Sequence, residues 1–172
     1  CAMDLYYQFL NAGFRLPIAA GTDKFGEEIP LGSNRVFARA SGSTNYAGWV
    51  AGVKAGRSFV SNGPLLDFDV DGHQPGDVVS LTEAKRLTAR VKASSILPFS
   101  RLEIVLNGRP VGHIVRAPFN NKPVDGVYWM EVQSAVNLEE SGWLAARALD
   151  DPDLRSPVLP RNLTAFAHTS PI

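Results

Sequence analysis

Asp23 is the residue in this sequence whose position is most typical of an active site. It follows a short apolar run over residues 16–20 and then a Gly-Thr pair. The pattern predicts a buried strand that presents Asp23 at its carboxyl end, where α/β folds place their active sites. A carboxylate in that position can bind zinc or another divalent metal. The alternative is a turn or helix-capping acid after Gly-Thr, and it stays open.

Arg35 and Asn62 are the other polar residues that could line a pocket. Arg35 follows a glycine-containing loop, where it could bind an anion or pair with Glu27 or Glu28. Asn62 lies in an Asn-Gly-Pro turn, where it could reach a pocket or set the turn. For both residues the structural role is the favoured interpretation.

The three histidines form no local metal-binding motif. His73, His113 and His168 are far apart in the sequence, and none shows the spacing of two or four residues typical of zinc ligands. We expect each of them to be structural or solvated. The sequence also contains no nucleophile elbow, no phosphate-binding loop of the Walker type and no dinucleotide-binding glycine motif.

Composition narrows the classes of partner. The 172 residues include 17 basic and 17 acidic side chains, so the formal net charge is zero. This balance argues against nucleic acid or an anionic membrane as a partner. No apolar run approaches the roughly 20 residues that cross a bilayer. Cys1 is the single cysteine, which excludes an internal disulfide. No targeting segment is present, and a periplasmic or secreted location stays open.

Residues 1–57 combine helical and strand patterns. Apolar residues at helical spacing predict a helix over residues 3–12, followed by the strand over 16–20 and an irregular loop over 24–34. Alternation predicts a strand over 35–40. A second helix is predicted over 46–55, capped by Ser43, Thr44 or Asn45 and ended by Gly56.

After Gly56 the periodicity changes to two, which is the period of a strand. An Asn-Gly pair at 107–108 predicts a two-residue hairpin turn. The predicted strands cover residues 58–61, 65–70, 86–93, 102–106, 110–115, 127–136, 142–149 and 163–168. We therefore predict a mainly β fold: an immunoglobulin-like antiparallel β-sandwich over residues 58–172, preceded by a small α/β segment over residues 1–57.

Five segments together resemble a known family. They are LNAGFRLP (10–17), AGTD (20–23), GSNRV (32–36), GRSFVSNGPLL (56–66) and FAHTSP (166–171). These segments resemble the C-terminal part of CehA/McbA-type metallohydrolases, which belong to the PHP (polymerase and histidinol phosphatase) superfamily. The GRSFVSNGP stretch is the most specific part of the resemblance, which extends over nearly the whole chain.

The resemblance implies a distorted β/α barrel whose metal ligands are mostly histidines from N-terminal strands. Asp23 matches the aspartate that a late barrel strand supplies. Phe25 stands where the family pattern usually has a further histidine, and the N-terminal His-x-His signature is absent. The chain then corresponds to the last barrel elements plus the sandwich, and we expect it to continue before Cys1 and beyond Ile172.

The implied function is that of the C-terminal part of a metal-dependent hydrolase. In the full-length protein a divalent metal, zinc or manganese, and a small-molecule substrate are expected. The partner of this chain would be the missing N-terminal barrel of the same protein. Alone, the chain is expected to bind no metal and to hydrolyse nothing. The alternative is an autonomous β-sandwich that binds a partner and has no catalytic role.

Overall fold

The structure, a computed structural model, describes residues 2–24, 26, 30–40, 42–116, 122–150 and 164–172. This part of the chain is mainly β, with two antiparallel sheets and few helical residues. The elements in chain order are α1 (Ala2–Asn11), β1 (Arg35–Ala38), α2 (Tyr46–Lys54), β2 (Ser58–Ser61), β3 (Leu65–Val70), β4 (Lys85–Ser95), β5 (Arg101–Leu106), β6 (Arg109–Val115), β7 (Tyr128–Leu138), β8 (Leu144–Leu149) and β9 (Phe166–Thr169).

Six strands form one sheet in the order β1-β2-β9-β8-β5-β6, and three form the other in the order β3-β4-β7. All pairs between the described strands are antiparallel. The prediction of a run of strands after Gly56 is confirmed, since each predicted strand overlaps an observed one. Within the described residues both helices lie before residue 57, as predicted.

The core lies between the two sheets and follows the alternation of the strands. In β4 the side chains of Leu87, Ala89, Val91 and Ala93 are buried, while the residues between them face outward. From the opposite sheet, β5 contributes Leu102 and Ile104, and β8 contributes Ala146 and Ala148. The described residues of this core come from position 59 onward, so the sandwich-like pair of sheets buries its apolar faces without side chains from the first helix.

Turn chemistry also agrees with the sequence. Asn107 and Gly108 have φ angles of 49° and 89°, as a type I′ turn requires, and they join β5 to β6. Asn45 caps α2, because its side chain accepts a 3.0 Å hydrogen bond from the backbone N–H of Gly48.

The strand predicted over residues 16–20 is wrong. These residues form no strand, and Ile18 is the buried one among them. The backbone N–H of Ile18 donates to Oγ of Ser170 (3.0 Å), and Oγ of Ser58 donates to the carbonyl of Ile18 (3.1 Å). Two side-chain hydroxyls thus satisfy the backbone groups that a neighbouring strand would otherwise bind.

The two predicted parts of the chain share a sheet. β1 pairs with β2 over four residue pairs, from Arg35 opposite Ser61 to Ala38 opposite Ser58. A domain division at residue 57 stays a prediction.

Neither of the helices in the described residues is long and apolar enough to cross a membrane.

Candidate functional site

One row of side chains crosses the six-stranded sheet on the face away from the core. The registers of neighbouring strands place one residue from each strand in this row: Val36, Val60, His168, Arg147, Glu103 and His113. The alanines that flank Arg147 and His168 point into the core, so the two polar side chains point to the outer face. We call these six residues the outer row.

A chain of hydrogen bonds links the middle of the outer row to α1. Nε of Arg147 donates to Oε2 of Glu103 (2.5 Å), and a terminal guanidinium nitrogen of Arg147 donates to the hydroxyl of Tyr7 (3.2 Å). The Tyr7 hydroxyl lies 2.7 Å from Nε2 of His168. Because Nδ1 of His168 donates to the carbonyl of Thr169 (2.6 Å), Nε2 is the acceptor and Tyr7 is the donor.

Apolar packing positions α1 over this row. Leu10 packs with Val105, Trp143 and Ala145 on the outer face of the sheet, and Tyr6 and Tyr7 pack against the same group. The indole N–H of Trp143 donates to the side-chain oxygen of Asn11 at the end of the helix (2.8 Å). The helical spacing of Tyr6 and Leu10 therefore identifies the buried face of α1.

Burial sets the protonation states of this network. It lowers the pKa of His168 to about 4, and the nearby Arg147 guanidinium acts in the same direction, against the Thr169 carbonyl. It also raises the pKa of Tyr7, an effect that Arg147 partly opposes. Near neutral pH the network therefore contains a neutral imidazole and a protonated phenol, and they lie beside the partly buried Glu103–Arg147 ion pair.

The network fastens α1 to the sheet. His168 is 0% exposed and each of its ring nitrogens is hydrogen-bonded, so it is closed to a substrate in this arrangement.

The sequence analysis did not identify Tyr7, Glu103 and Arg147 as members of a site. A signal was present, because Glu103 and Arg147 are charged residues inside apolar strands, RLEIVL and LAARAL. Charges so placed are normally paired.

Asp23 lies on the segment that joins α1 to β1. It is exposed, and its φ angle of 49° is in the left-handed region. The preceding hydroxyl, Oγ1 of Thr22, accepts from the N–H of Gly32 (2.9 Å) and donates to the carbonyl of Asn34 (3.3 Å). These bonds fix the residue before Asp23 close to the start of β1.

The structure does not bring Arg35 and Asn62 together with Asp23 in a described cavity. The guanidinium of Arg35 lies 5.8 Å from the ring centroid of Phe37; its alternative partners, Glu27 and Glu28, lie outside the described residues. Asn62 holds the start of β9. Its side-chain nitrogen donates to the carbonyl of Thr164 (2.7 Å), and its side-chain oxygen accepts from the N–H of Phe166 (2.8 Å).

The described residues do not by themselves fit a metal ion. No group of three or more His, Cys, Asp or Glu side chains among them is arranged to hold one. Asp23 could supply a single ligand, so a catalytic site of the usual kind, with three protein ligands and an open position, would need residues from elsewhere.

An open apolar cavity of about 520 Å³ adjoins the segment that leads to Asp23. It lies between α1, residues 16–20 and the outer face of β2 and β9, with Tyr6, Leu16, Val60 and Phe166 among its lining residues. The Tyr6 hydroxyl donates to the Leu16 carbonyl at one edge (2.7 Å). This cavity is a surface for apolar contact rather than a cluster of reactive groups.

Comparison of the chain with protein-family models, with curated protein sequences and with solved structures found no match.

Proposed function

We propose that this chain is the C-terminal part of a metal-dependent hydrolase, with Asp23 as one ligand of a divalent metal. The remaining ligands would come from an N-terminal barrel of the same protein. The proposal includes an immunoglobulin-like arrangement for the two sheets. It begins from the resemblance of residues 10–17, 20–23, 32–36, 56–66 and 166–171 to CehA/McbA-type metallohydrolases.

The observation that carries the proposal is the way in which Asp23 is presented. Its side chain is exposed, yet the segment before it is anchored at Ile18 by two serine hydroxyls and at Thr22 by two hydrogen bonds. A carboxylate on a fixed backbone can meet a metal at a set position with little ordering cost on binding.

Exposed apolar side chains beside this segment support a partner from the same protein. Leu5 is 55% exposed and Phe14 is 56% exposed, and Phe9 and Leu16 are also exposed. The rings of Phe9 and Phe14 pack edge to face with their centroids 5.7 Å apart. A cluster of exposed apolar residues around α1 is typical of a surface that another element covers. The proposed occupant is the missing barrel.

The metal would supply a bound water of lowered pKa and a Lewis acid for the scissile group. Asp23 would bind the metal, and the two hydrogen bonds of the Thr22 hydroxyl would position the backbone that carries Asp23. No described residue of this chain is assigned to proton transfer, so the chain alone is predicted to hydrolyse nothing. Metal-dependent turnover of generic ester or phosphodiester substrates by the purified chain would contradict the proposal.

The test is the metal content of the protein made from the complete reading frame. We expect dialysed wild-type protein to retain zinc or manganese, measured by mass spectrometry, and Asp23→Asn to lose most of it. Asparagine is the replacement of choice, because it tolerates the left-handed backbone at this position. Asp125→Asn is the matched control: Asp125 is exposed, has a φ of 50° and precedes a glycine in a turn. Equal metal in wild type and Asp23→Asn would refute the ligand role.

The second candidate is an autonomous β-sandwich that binds a partner. It is favoured by the core between the sheets, whose described residues all lie at or after position 59. Cooperative unfolding of residues 58–172 alone, together with ligand binding, would support an autonomous β-sandwich. Loss of folding on removal of residues 1–57 would refute it, because the sheets would then depend on the N-terminal segment.

A further inference from the structure

Helix α1 packs on the six-stranded sheet without entering the core between the sheets. Its buried residue Leu10 packs with Val105, Trp143 and Ala145 on the outer face, and this cluster shares no residue with the described core between the sheets. Elements that lie outside the main core of a protein open at a lower free energy than the core itself. The helix can therefore leave the outer face while the two sheets stay packed on each other.

The polar contacts of α1 fit one protonation state of His168. The hydroxyl of Tyr7 gives its proton to Nε2 of His168 (2.7 Å) and accepts from a terminal guanidinium nitrogen of Arg147 (3.2 Å). Nδ1 of the same ring donates to the carbonyl of Thr169 (2.6 Å). Because one ring nitrogen is a donor and the other an acceptor, the docked helix requires the neutral imidazole.

A second proton on His168 opposes this arrangement. Nε2 would become a donor, and the Tyr7 hydroxyl would lose the acceptor of its own proton while it already accepts from Arg147. The imidazolium would also carry the same charge as the Arg147 guanidinium, which is paired with Glu103 on its other side. Burial, with a smaller contribution from Arg147, lowers the pKa of His168 to about 4. Protonation of His168 therefore favours displacement of the helix.

The surroundings of His168 do not offset that charge. Among the described residues, the side chains and the backbone carbonyl that face it or adjoin it come from α1, β2, β8 and β9, and they are Tyr6, Tyr7, Val60, Arg147, Phe166 and Thr169. The carboxylates of Asp4 on α1 and Glu103 on β5 act on Tyr7 rather than on His168. The charged form of the imidazole gains a favourable environment when α1 uncovers it to water.

We infer that α1 is a pH-sensitive switch: protonation of His168 releases the helix from the outer face while both sheets stay folded. Release uncovers His168, Arg147 and Glu103 of the outer row. An uncovered histidine titrates near 6.5, whereas His168 under the docked helix has a pKa of about 4. The equilibrium between docked and released helix then shifts towards release by about 20-fold between pH 7 and pH 5. The inference does not depend on a metal at Asp23.

The test is amide hydrogen exchange of the 172-residue chain at pH 7, 6 and 5, with the rates corrected for the intrinsic effect of pH on exchange. We expect the protection of α1 amides to fall about 20-fold from pH 7 to pH 5, while amides of β4 and β7 retain theirs. His168→Gln should remove this pH dependence. His113→Gln is the control and should keep it, because His113 lies in the same outer row but is exposed.

Tyr7→Phe provides a second check that leaves His168 in place. It removes the hydroxyl from the helix side and should speed exchange of α1 amides about fivefold or more at pH 7, with β4 still protected. If Tyr7→Phe speeds exchange in β4 as much as in α1, the helix and the sheets open as one unit, and the inference fails.

Three further results would overturn the inference. The first is α1 protection that does not change between pH 7 and pH 5 in the wild-type chain. The second is loss of protection in α1 and β4 together, which would mean that acid unfolds the whole chain. The third is an equal pH response in His168→Gln and wild type, which would assign the response to another group.

Discussion

The hydroxyl of Tyr7 donates a 2.7 Å hydrogen bond to Nε2 of His168, although 161 positions separate the two residues in the chain. This bond joins the first helix to the last strand of the described chain. On the strand side, His168 is completely buried and is fixed by the Thr169 carbonyl. The position of α1 on the sheet therefore depends on a polar contact as well as on apolar packing.

Tyr7→Phe should lower the free energy of unfolding by about 1–3 kcal/mol, because Nε2 of His168 would stay buried without a donor. Denaturant unfolding measures the change. Tyr46→Phe is the matched control, since Tyr46 is 79% exposed and its ring merely stacks beside that of Trp49. The control should change stability by less than about 0.5 kcal/mol. A similar small change in Tyr7→Phe would show that the hydroxyl does not hold the helix.

Stability should fall as the pH is lowered from about 6.5 towards 4. His168 has a pKa lowered to about 4 in the folded chain, whereas an unfolded histidine titrates near 6.5. Between these values the unfolded chain binds more protons, so stability from His168 is complete above about 6.5 and is lost towards 4. Among the described residues, the groups that face it are Tyr6, Tyr7, Phe166, Arg147 and the Thr169 carbonyl, and none of them is a carboxylate that would stabilise its charged form.

The measurement is unfolding free energy at several pH values for His168→Gln and for His113→Gln. His113 belongs to the same outer row but is exposed on β6. His168→Gln should have a smaller slope than wild type across this window, by at most about 1.4 kcal/mol per pH unit. His113→Gln should keep the wild-type slope. Parallel curves for wild type and His168→Gln would contradict the assignment.

Glu103→Gln should destabilise the fold by about 2–4 kcal/mol, because it leaves the Arg147 guanidinium without its buried counter-charge. The Glu103 side chain is 3% exposed and also lies 3.5 Å from Arg101. Glu131→Gln is the control: its contacts with Arg90 and Lys92 are 3.9 Å long and lie at the surface. That substitution should cost at most about 1 kcal/mol. Thermal and denaturant unfolding measure both changes. If Glu103→Gln and Glu131→Gln lower the free energy of unfolding equally, the burial of Glu103 does not strengthen its ion pair.

Gly52→Ala should destabilise the chain by about 1–3 kcal/mol, although alanine in a helix interior normally stabilises by about 1 kcal/mol relative to glycine. The clash decides the sign, since the new Cβ would lie 2.3 Å from the Arg39 carbonyl oxygen. Gly21→Ala is the control, because a Cβ there meets nothing within 4 Å. Stabilisation by Gly52→Ala, measured by melting temperature, would mean that α2 does not pack this closely on β1.

The strands after Gly56 were determined by local sequence. Alternation over residues 86–93 predicts a half-buried strand, and β4 is observed there, because the pleat repeats every two residues whatever the partner strand is. Asn107-Gly108 predicts its hairpin turn for a similar reason, since a type I′ turn depends on which residues tolerate positive φ. Neither prediction needs any knowledge of distant contacts.

The outer row was decided by tertiary structure. The order β9-β8-β5 brings His168, Arg147 and Glu103 into register, and strand order depends on long-range pairing that local periodicity does not encode. The same reason explains why the strand predicted over residues 16–20 is not observed. Apolar residues can favour an extended backbone, but a strand also needs a free neighbouring edge, and here the hydroxyls of Ser58 and Ser170 take the backbone groups of Ile18.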